Sequence, residues 1–239
     1  MKSYLQKLKD TYLHGWERQE TVILLSSAFL LTIHRKYSRT GIFRRHFSEY
    51  FTDFPLSESY PYYYWFLSTA ITLFLLPIIV GLIGTNMSLK EYGIRLGNIK
   101  IGLLFTIVAV LFMLPVILVA VVIYPPFLEK YPFSKAVAIS WEPFLLYQMA
   151  YGVYMYSWEF FFRGYMLFGL EKRFGKYSIF IQTIPFAVMH FSKPFPEAIG
   201  SIFAGVFLGV LALETRSFIY GATIHWLVAM TMDIVAVNY

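Results

Sequence analysis

Four ionisable side chains lie inside apolar stretches of the sequence, and their types are those of a hydrolytic site. Glu159 and Arg163 are four residues apart, which places them on one face of a helix, about 6 Å apart along its axis. His190 ends one apolar run, and His225 lies inside the last one. A charged group at the centre of a bilayer costs about 2.5–3.5 kcal/mol, so these residues need a shared polar interior. The sequence therefore predicts that they converge.

Activation of water is the chemistry that such a group supports. A carboxylate held near an imidazole in a partly desolvated cavity can activate a water molecule. Two plainer interpretations stay open here. Glu159 and Arg163 also fit a structural ion pair, and a histidine at the end of a helix is often interfacial. Asp233 follows His225 by eight residues, which places it about 80° around the helix and about 12 Å farther along it.

Composition excludes several other catalytic chemistries. The chain has no cysteine, which removes thiolate nucleophiles, structural disulfides, iron–sulfur clusters and Cys-type zinc sites. No GxSxG elbow or Ser-Lys dyad is visible, which disfavours nucleophilic catalysis by the chain. Zinc held by Glu159, His190 and His225 is a minor alternative, because His₂Glu is a known ligand set but the HExxH spacing is missing. We expect no cofactor.

Six apolar stretches can carry these residues across a bilayer, whose core of about 30 Å needs roughly 20 helical residues. They predict an all-α membrane protein of about six transmembrane helices, or seven or eight if short N-terminal or re-entrant helices are added. Residues 21–33 fit an interfacial or re-entrant helix as well as a span. We divide the chain into a basic N-terminal segment, 1–60, and a transmembrane domain, 61–239. The predicted spans are 61–86, 101–125, 143–170, 177–192, 197–214 and 217–238.

The overall composition also indicates a membrane protein. Of the 239 residues, 58% are hydrophobic and only 14% are charged, which excludes an ordinary soluble domain and a nucleic-acid-binding chain. The net charge of +6 fits basic loops retained on the cytoplasmic side. With the N-terminus inside, 12 Lys and Arg residues lie on that side and 7 on the other. We predict an integral protein of the plasma (inner) membrane of a prokaryote, with a cytoplasmic N-terminus.

The fifth predicted span has two further features. Small-xxx-small spacing at Gly200, Ala204 or Gly205, and Gly209 predicts close helix packing. Glu197 lies in the first turn, where a carboxylate suits the positive end of the helix dipole. Because Glu197 follows His190 so closely in the sequence, it is also a candidate for lining the site, although a weaker one than the four residues above.

At these residues the chain resembles the CPBP family, the CAAX protease and bacteriocin-processing intramembrane endopeptidases that include the Ras-converting prenyl-protein proteases. The family's motifs are EExxxR, FxxxH and HxxxN, in this order on successive transmembrane helices. Here residues 158–163 read WEFFFR, residues 186–190 read FAVMH, and the third motif begins at His225. The likeness covers about Tyr60 to the C-terminus. It implies a CAAX-protease-like helix bundle with a polar intramembrane cavity, and hydrolysis of a peptide bond.

Two positions depart from the family pattern. The first Glu of the EE pair, to which the resemblance assigns water activation together with the second-motif histidine, is Trp158 here. Four residues after His225, where the family tends to have Asn or another polar residue, stands Ala229. The implied oxyanion donors are then reduced to His225, unless Asp233 or Thr231 compensates. Loss of one such donor typically costs about 3–4 kcal/mol of transition-state stabilisation.

The resemblance and its departures together suggest a working mechanism. Glu159, about 100° around the helix from the missing Glu, would act as general base with His190 and polarise a water that attacks the scissile carbonyl. Arg163 would orient Glu159. His225 would donate to the oxyanion, and Asp233 would fix the tautomer of His225 if the helix bends or a water intervenes.

Three classes of function are compatible with these residues. The preferred one is an intramembrane endopeptidase whose partners are the lipid bilayer and a peptide or protein substrate at the membrane. The second is a catalytically inactive scaffold of the same fold, or a bacteriocin-immunity-type protein, in which Glu159 and Arg163 are a structural pair. The third is a transporter or proton channel, which predicts internal repeats with interrupted helices that the sequence lacks.

Overall fold

The computed structural model of the chain describes residues 2–13 and 17–238, and the regular structure within these ranges is entirely helical. The all-α prediction is confirmed. The helices of the described ranges are α1 (Lys2–Leu8), α2 (Arg18–Tyr37), α3 (Thr40–His46), α4 (Ser57–Gly84), α5 (Ile99–Ile123), α6 (Pro126–Lys130), α7 (Trp141–Glu159 and its continuation), α8 (Ser178–Met189), α9 (Phe195–Thr215) and α10 (Ile219–Asn238). The continuation of α7 is a π-helix, Phe160–Phe168, and a final α-helical stretch, Gly169–Phe174. Other short segments are π-helical at Lys9–Leu13 and Ile71–Leu75, and 3-10 helical at Ser48–Phe51, Lys135–Ile139 and Gly175–Tyr177.

Among the residues that the structure describes, four helices are long and apolar enough to cross a membrane, namely α4, α5, α9 and α10. They correspond to the first, second, fifth and sixth predicted spans. Many large apolar side chains on α4 and α5 are exposed on the outside of the bundle, as a lipid-facing surface requires. These apolar helices indicate that the chain is an integral membrane protein.

The third and fourth predicted spans differ from the prediction. Residues 143–170 do form a helix, α7, but every residue from 157 to 170 is buried inside the bundle rather than exposed to lipid. The fourth, predicted over 177–192, is the 12-residue helix α8, which ends at Met189. Both regions are helical, but neither combines the length and the apolar composition of the other four.

Helix α2 takes the place of the short interfacial or re-entrant helix considered for residues 21–33. It has 20 residues, and its inner face belongs to the same apolar core as α4 and α7. At its start, Arg18 Nη2 donates to the Ile83 carbonyl at 3.1 Å. At its end, His34 Nδ1 lies 3.1 Å from Thr72 Oγ1. Because Ile83 follows Thr72 on α4, the two helices are antiparallel.

The loops form two groups at opposite ends of the bundle, which we name the His190 end and the Arg216 end. At the His190 end, Lys130 Nζ donates to the Ser192 carbonyl at 2.9 Å. At the Arg216 end, Arg216 Nη1 pairs with Glu171 Oε1 at 2.6 Å. The short helix α8 connects the two ends beside α9.

The course of α2 divides the basic residues that precede the first span. Arg18 lies where α4 ends, whereas the five basic residues between 35 and 45 lie in the last turn of α2 or after it, where Arg44 lines a pocket together with Lys135. The count that favoured a cytoplasmic N-terminus treated these residues as one group. The cytoplasmic orientation of the N-terminus therefore stays a prediction. The domain boundary predicted at residue 60 separates α2 from helices against which it packs.

Two glycines, which have no side chain, allow α9 to pack close to α8, the helix that precedes His190. A Cβ atom on Gly205 would lie 2.7 Å from Thr183 Cγ2, and one on Gly209 would lie 3.0 Å from an isoleucine of α8. A Cβ atom on Gly200 would have no neighbour within 4 Å. The predicted close packing is thus confirmed at Gly205 and Gly209 and is absent at Gly200.

We expect Gly205→Ala to lower the melting temperature of the detergent-solubilised protein. The added methyl group must displace Thr183 in a packed interface, and such overpacking costs about 1–3 kcal/mol. Gly200→Ala on the same helix is the matched control, because its methyl group meets no atom and alanine favours a helix by about 0.5–1 kcal/mol over glycine. Thermal unfolding of the two variants measures the difference. Equal melting temperatures would contradict the close contact between α8 and α9.

Candidate active site

Glu159 is the centre of a polar cluster where α7 meets α10. Its side chain is 0% exposed. Arg163 Nη1, one turn farther along α7, donates to Glu159 Oε1 at 3.0 Å. His225 Nδ1 on α10 contacts the same oxygen at 2.7 Å, and because a carboxylate oxygen only accepts, Nδ1 carries the proton. One buried carboxylate oxygen thus joins two helices.

The π-helix that begins at Phe160 contains Arg163. A π-helix is wider than an α-helix, and such segments are frequent at functional sites. Every residue of this segment is buried. The guanidinium of Arg163 lies over the ring of Phe186, with 4.0 Å between its central carbon and the ring centre. An aromatic face attracts a cation, so Phe186 partly replaces the water that the guanidinium has lost.

The ion pair leaves buried polar atoms without partners. Glu159 Oε2 and the Nε and Nη2 atoms of Arg163 make no hydrogen bond to any residue that the structure describes. A Cβ atom on Gly221 would lie 3.6 Å from Glu159 Oε2, so this oxygen faces the backbone of α10. Each unsatisfied buried group costs about 1–3 kcal/mol. This cost reduces the net stability that the Glu159–Arg163 pair can contribute, so stability alone does not explain the pair.

His190 follows the last residue of α8, and its ring is held by its own helix. Nδ1 lies 2.7 Å from the Phe186 carbonyl, which can only accept, so Nδ1 carries a proton and Nε2 of the neutral ring keeps its lone pair. The rings of His190 and His225 lie 6.3 Å apart between centroids, with 22° between their planes. The His225 side chain is 21% exposed, so the pair lies at an accessible edge of the cluster.

The structure brings together the predicted glutamate, arginine and two histidines, but it leaves Asp233 outside. Asp233 Oδ2 accepts from Gln148 Nε2 at 2.7 Å, and the aspartate is fully buried. The contact with His225 Nδ1 that was predicted for Asp233 is made by Glu159 instead. The physical reason is the offset of two helical turns between His225 and Asp233, because α10 is one uninterrupted helix.

The pairing of Glu159 also differs from the working mechanism. That mechanism joined Glu159 and His190 as the base, whereas the hydrogen bond of Glu159 goes to His225. His190 uses Nδ1 for the carbonyl four residues before it, as a residue at the C-terminal end of a helix readily does. Glu159 therefore orients one imidazole, and the other is oriented by backbone.

Trp158 lies next to His190, where the resemblance expects the first glutamate of the motif. Its ring lies 5.9 Å from that of His190 between centroids, in an edge-on contact at 79°. The indole is buried, and its Nε1 has no hydrogen-bond partner among the described residues. An aromatic contact thus replaces a carboxylate beside the imidazole.

Neither Thr231 nor Asp233 supplies the second oxyanion donor that is missing at Ala229. Ala229 packs against the apolar core. Thr231 Oγ1 donates to the Leu227 carbonyl of its own helix at 2.8 Å, and Asp233 is turned toward Gln148. His225 Nε2 is the ring nitrogen that stays free on α10, and it can donate to an oxyanion only when the ring carries a proton on both nitrogens.

His34 near the end of α2 is a residue that sequence reasoning did not identify. It is buried, and its ring lies 5.9 Å from that of Trp158 between centroids. The basic residues that follow it in the sequence suggest an exposed helix end. A clue was available in the spacing of Ile23, Ser27, Leu30 and His34, which form the buried face of α2.

Glu197 belongs to a polar group beside the cluster. Its two carboxylate oxygens lie 2.8 and 2.9 Å from the Tyr131 hydroxyl, which donates to them, and Lys193 Nζ pairs with Glu197 Oε1 at 3.1 Å. Burial, together with the charge of Glu197, raises the pKa of Tyr131 well above its ordinary value. Tyr131 therefore remains a hydrogen-bond donor at neutral pH.

Within the described ranges, no group of three or more His, Asp or Glu side chains is arranged to hold a metal ion. Zinc held by Glu159, His190 and His225 would need all three side chains to turn toward one point. Glu159 Oε1 and His225 Nδ1 are bonded to each other instead. The geometry gives the zinc alternative no support.

One family model matches the part of the chain that forms this site. The model of the family described as type II CAAX prenyl endopeptidase Rce1-like matches residues 140–231. No curated protein and no solved structure matches the chain. The matched range contains all of α7, α8 and α9, and the part of α10 that carries His225. Over residues 140–231 the chain is therefore similar to the Rce1-like CAAX endopeptidases, which confirms the resemblance indicated by the three motifs.

Proposed function

We propose that the protein is an intramembrane endopeptidase that hydrolyses a peptide bond of a membrane-associated substrate or of a substrate's C-terminal tail. The observation that carries this proposal is the Glu159–His225 contact beside His190. A buried carboxylate orients one imidazole, and a second imidazole with a free Nε2 lies next to it. The match to a family of endopeptidases supports a peptidase at the family level.

In the proposed mechanism, His190 is the general base. Its Nε2 takes a proton from water while the water oxygen bonds to the scissile carbonyl carbon. The π electrons of the carbonyl move onto its oxygen. His225, with a proton on each nitrogen, donates Nε2–H to that oxyanion. When the intermediate collapses, the C–N bond breaks and the leaving amine takes the proton held by His190.

Glu159 acts through His225 in this scheme and does not touch the substrate. Its Oε1 accepts the Nδ1 proton of His225, which keeps the ring oriented with Nε2 outward. Arg163 holds the carboxylate from the other side. We therefore assign Glu159 and Arg163 as positioning residues and His190 and His225 as catalytic residues.

A catalytically inactive scaffold of the same fold, including an immunity-type protein, is the second candidate. The observations that favour it are Trp158 in the place of a carboxylate and Ala229 in the place of a polar donor. In such a scaffold the Glu159–Arg163 pair would serve packing alone. The unpartnered atoms of that pair favour the endopeptidase.

We also propose the cellular setting predicted from the sequence. The protein would lie in the plasma (inner) membrane of a prokaryote with a cytoplasmic N-terminus. Its partners would be the lipid bilayer and a peptide or protein substrate, with neither a cofactor nor nucleic acid.

Removal of the Glu159 carboxylate tests the proposed function. We expect Glu159→Gln to reduce cleavage of a mixed peptide library by about 10²-fold or more, because the charge-assisted hydrogen bond that orients His225 becomes a weaker, neutral one. Asp233→Asn is the matched control, since it also removes a buried carboxylate of the bundle but leaves the cluster intact. Mass spectrometry of the library measures cleavage, and thermal unfolding measures stability. Full activity in a folded Glu159→Gln protein would refute the proposal.

A double variant separates catalysis from folding. Glu159→Gln alone leaves Arg163 as a buried uncompensated charge, which typically costs about 3–5 kcal/mol. Glu159→Gln with Arg163→Met removes both charges, so we expect a folded protein without activity. The scaffold hypothesis instead predicts that neither the wild type nor the double variant cleaves any peptide.

Trp158→Phe tests whether the indole takes part in the chemistry. We expect turnover to stay within a few-fold of the wild type, because phenylalanine keeps an aromatic contact with His190 and a conservative apolar exchange usually costs less than about 1.5 kcal/mol. Cleavage of the same library and the melting temperature are the measurements. A loss of about 10²-fold in a folded protein would place Trp158 in the catalytic machinery.

A further inference from the structure

A band of basic residues lies at the His190 end of the bundle, outside the catalytic cluster. Two of them are in the last turn of α2, one follows it, and two are in the last turn of α3. All five are exposed, and none forms an ion pair within 4.0 Å with a carboxylate that the structure describes. Their charges are therefore available to an anionic partner. The five residues are Arg35, Lys36, Arg39, Arg44 and Arg45.

One of these residues, Arg44, lines a pocket of about 490 Å³ between α3, the start of α4 and the segment that precedes α7. We name it the Arg44 pocket. Lys135 lines the same pocket from that segment, and three residues with hydroxyl groups complete its polar lining, namely Ser48, Thr52 and Ser57. Guanidinium, ammonium and hydroxyl groups are donors that phosphate oxygens accept, and one arginine can bind two of these oxygens at once. The lining therefore suits a phosphate group.

Both cationic groups of the pocket are held in place while donors stay free. The guanidinium of Arg44 lies over the ring of Tyr62, another lining residue, with 5.9 Å between its central carbon and the ring centre. Such a cation–π contact uses no N–H group. Lys135 Nζ donates to two backbone carbonyls, which leaves one of its three N–H groups for a ligand. A phosphate can thus accept hydrogen bonds from both side chains.

The charge balance of the Arg44 pocket is positive. Glu58 is the one carboxylate among the lining residues, against the two cations of Arg44 and Lys135. Glu49 and Asp53 are exposed in the same part of the chain, but they do not line the pocket. An anion that also carries a hydroxyl group fits this lining, because the Glu58 carboxylate can accept a hydrogen bond from that hydroxyl.

The position of the pocket identifies the source of the phosphate. Helix α4, one of the helices that can cross the membrane, begins at Ser57, which lines the pocket. Three aromatic side chains of the adjacent segment are exposed, those of Phe47, Tyr50 and Phe54. Exposed aromatic residues beside the end of a spanning helix are typical of the interface between membrane and water, where the lipid headgroups lie. The phosphate that reaches this depth belongs to a phospholipid.

We propose that the Arg44 pocket binds the headgroup of an anionic phospholipid, with the phosphate on Arg44 and Lys135. Phosphatidylglycerol has the required chemistry, because its phosphate carries one negative charge and its glycerol hydroxyls can donate to Glu58. The site lies outside the catalytic cluster. The inference therefore goes beyond the proposed function and does not depend on the cleavage of any peptide.

Native mass spectrometry of the detergent-solubilised protein tests this site with phosphatidylglycerol and phosphatidylcholine. We expect phosphatidylglycerol to bind about tenfold more tightly, because choline cancels the charge of the phosphate in the other lipid. At about 100 times its Kd, phosphatidylglycerol should raise the melting temperature by about 5–10 °C. Inorganic phosphate at the same concentration should leave the melting temperature unchanged, because it lacks the acyl chains that keep a lipid at this depth.

Three substitutions in the lining separate a binding role from a structural one. Arg44→Gln and Lys135→Gln, in different parts of the chain, should each weaken the binding of phosphatidylglycerol about fivefold and leave that of phosphatidylcholine unchanged. Glu58→Gln, which removes the one carboxylate of the lining, should instead tighten the binding of phosphatidylglycerol about fivefold. A damaged fold would weaken the binding in all three variants.

Arg173→Gln is the matched control, because Arg173 is exposed and lies at the Arg216 end, two residues from Glu171. We expect it to bind phosphatidylglycerol like the wild type. Equal dissociation constants of the two lipids for the wild type would overturn the proposal, as would an equal loss in Arg44→Gln and Arg173→Gln, since net charge alone gives that result. A rise in melting temperature with inorganic phosphate as large as with the lipid would show a site for free anions and overturn the lipid assignment.

Discussion

A carboxylate with no exposed surface requires hydrogen-bond donors from the protein itself, and Glu159 has two on one oxygen. One donor comes from α7 and the other from α10, so the last helix of the bundle is joined to its centre by a polar contact inside an apolar core. Arg163 in turn needs the aromatic face of Phe186, which lies one turn before His190 on α8. The burial of one charge thus connects the three helices that carry the site.

The members of this cluster could be predicted from the sequence, because two simple constraints select them. Charges are rare in apolar helices unless they share a polar interior, and a spacing of four residues places Glu159 and Arg163 on one face. Both constraints are local. The order of the motifs then indicated the family, and the match over residues 140–231 confirms it. The spans α4, α5, α9 and α10 were predicted for the same reason, since length and apolar composition are local properties.

The partners within the cluster could not be predicted, because they depend on how helices rotate against one another. Whether Glu159 meets His190 or His225 is decided by the approach of α10 at Gly221, and no periodicity reports it. Asp233 is on the same helix as His225, but it lies two turns farther along and is bonded to Gln148 instead. The course of α2 is a second case, since a 13-residue apolar run does not reveal that the helix crosses between both ends of the bundle.

The length of α8 has a consequence for the surrounding lipid. Twelve helical residues rise about 18 Å, whereas the hydrocarbon core of a bilayer is about 30 Å thick. A hydrophobic stretch shorter than the bilayer core is accommodated by local thinning, by snorkelling of flanking residues or by oligomerisation. Thinning beside α8 would bring the lipid headgroups and their hydration water toward the end of this helix. A membrane deformed in this way would supply water to His190 from the side. The thickness of the bilayer would then affect how readily water reaches the site.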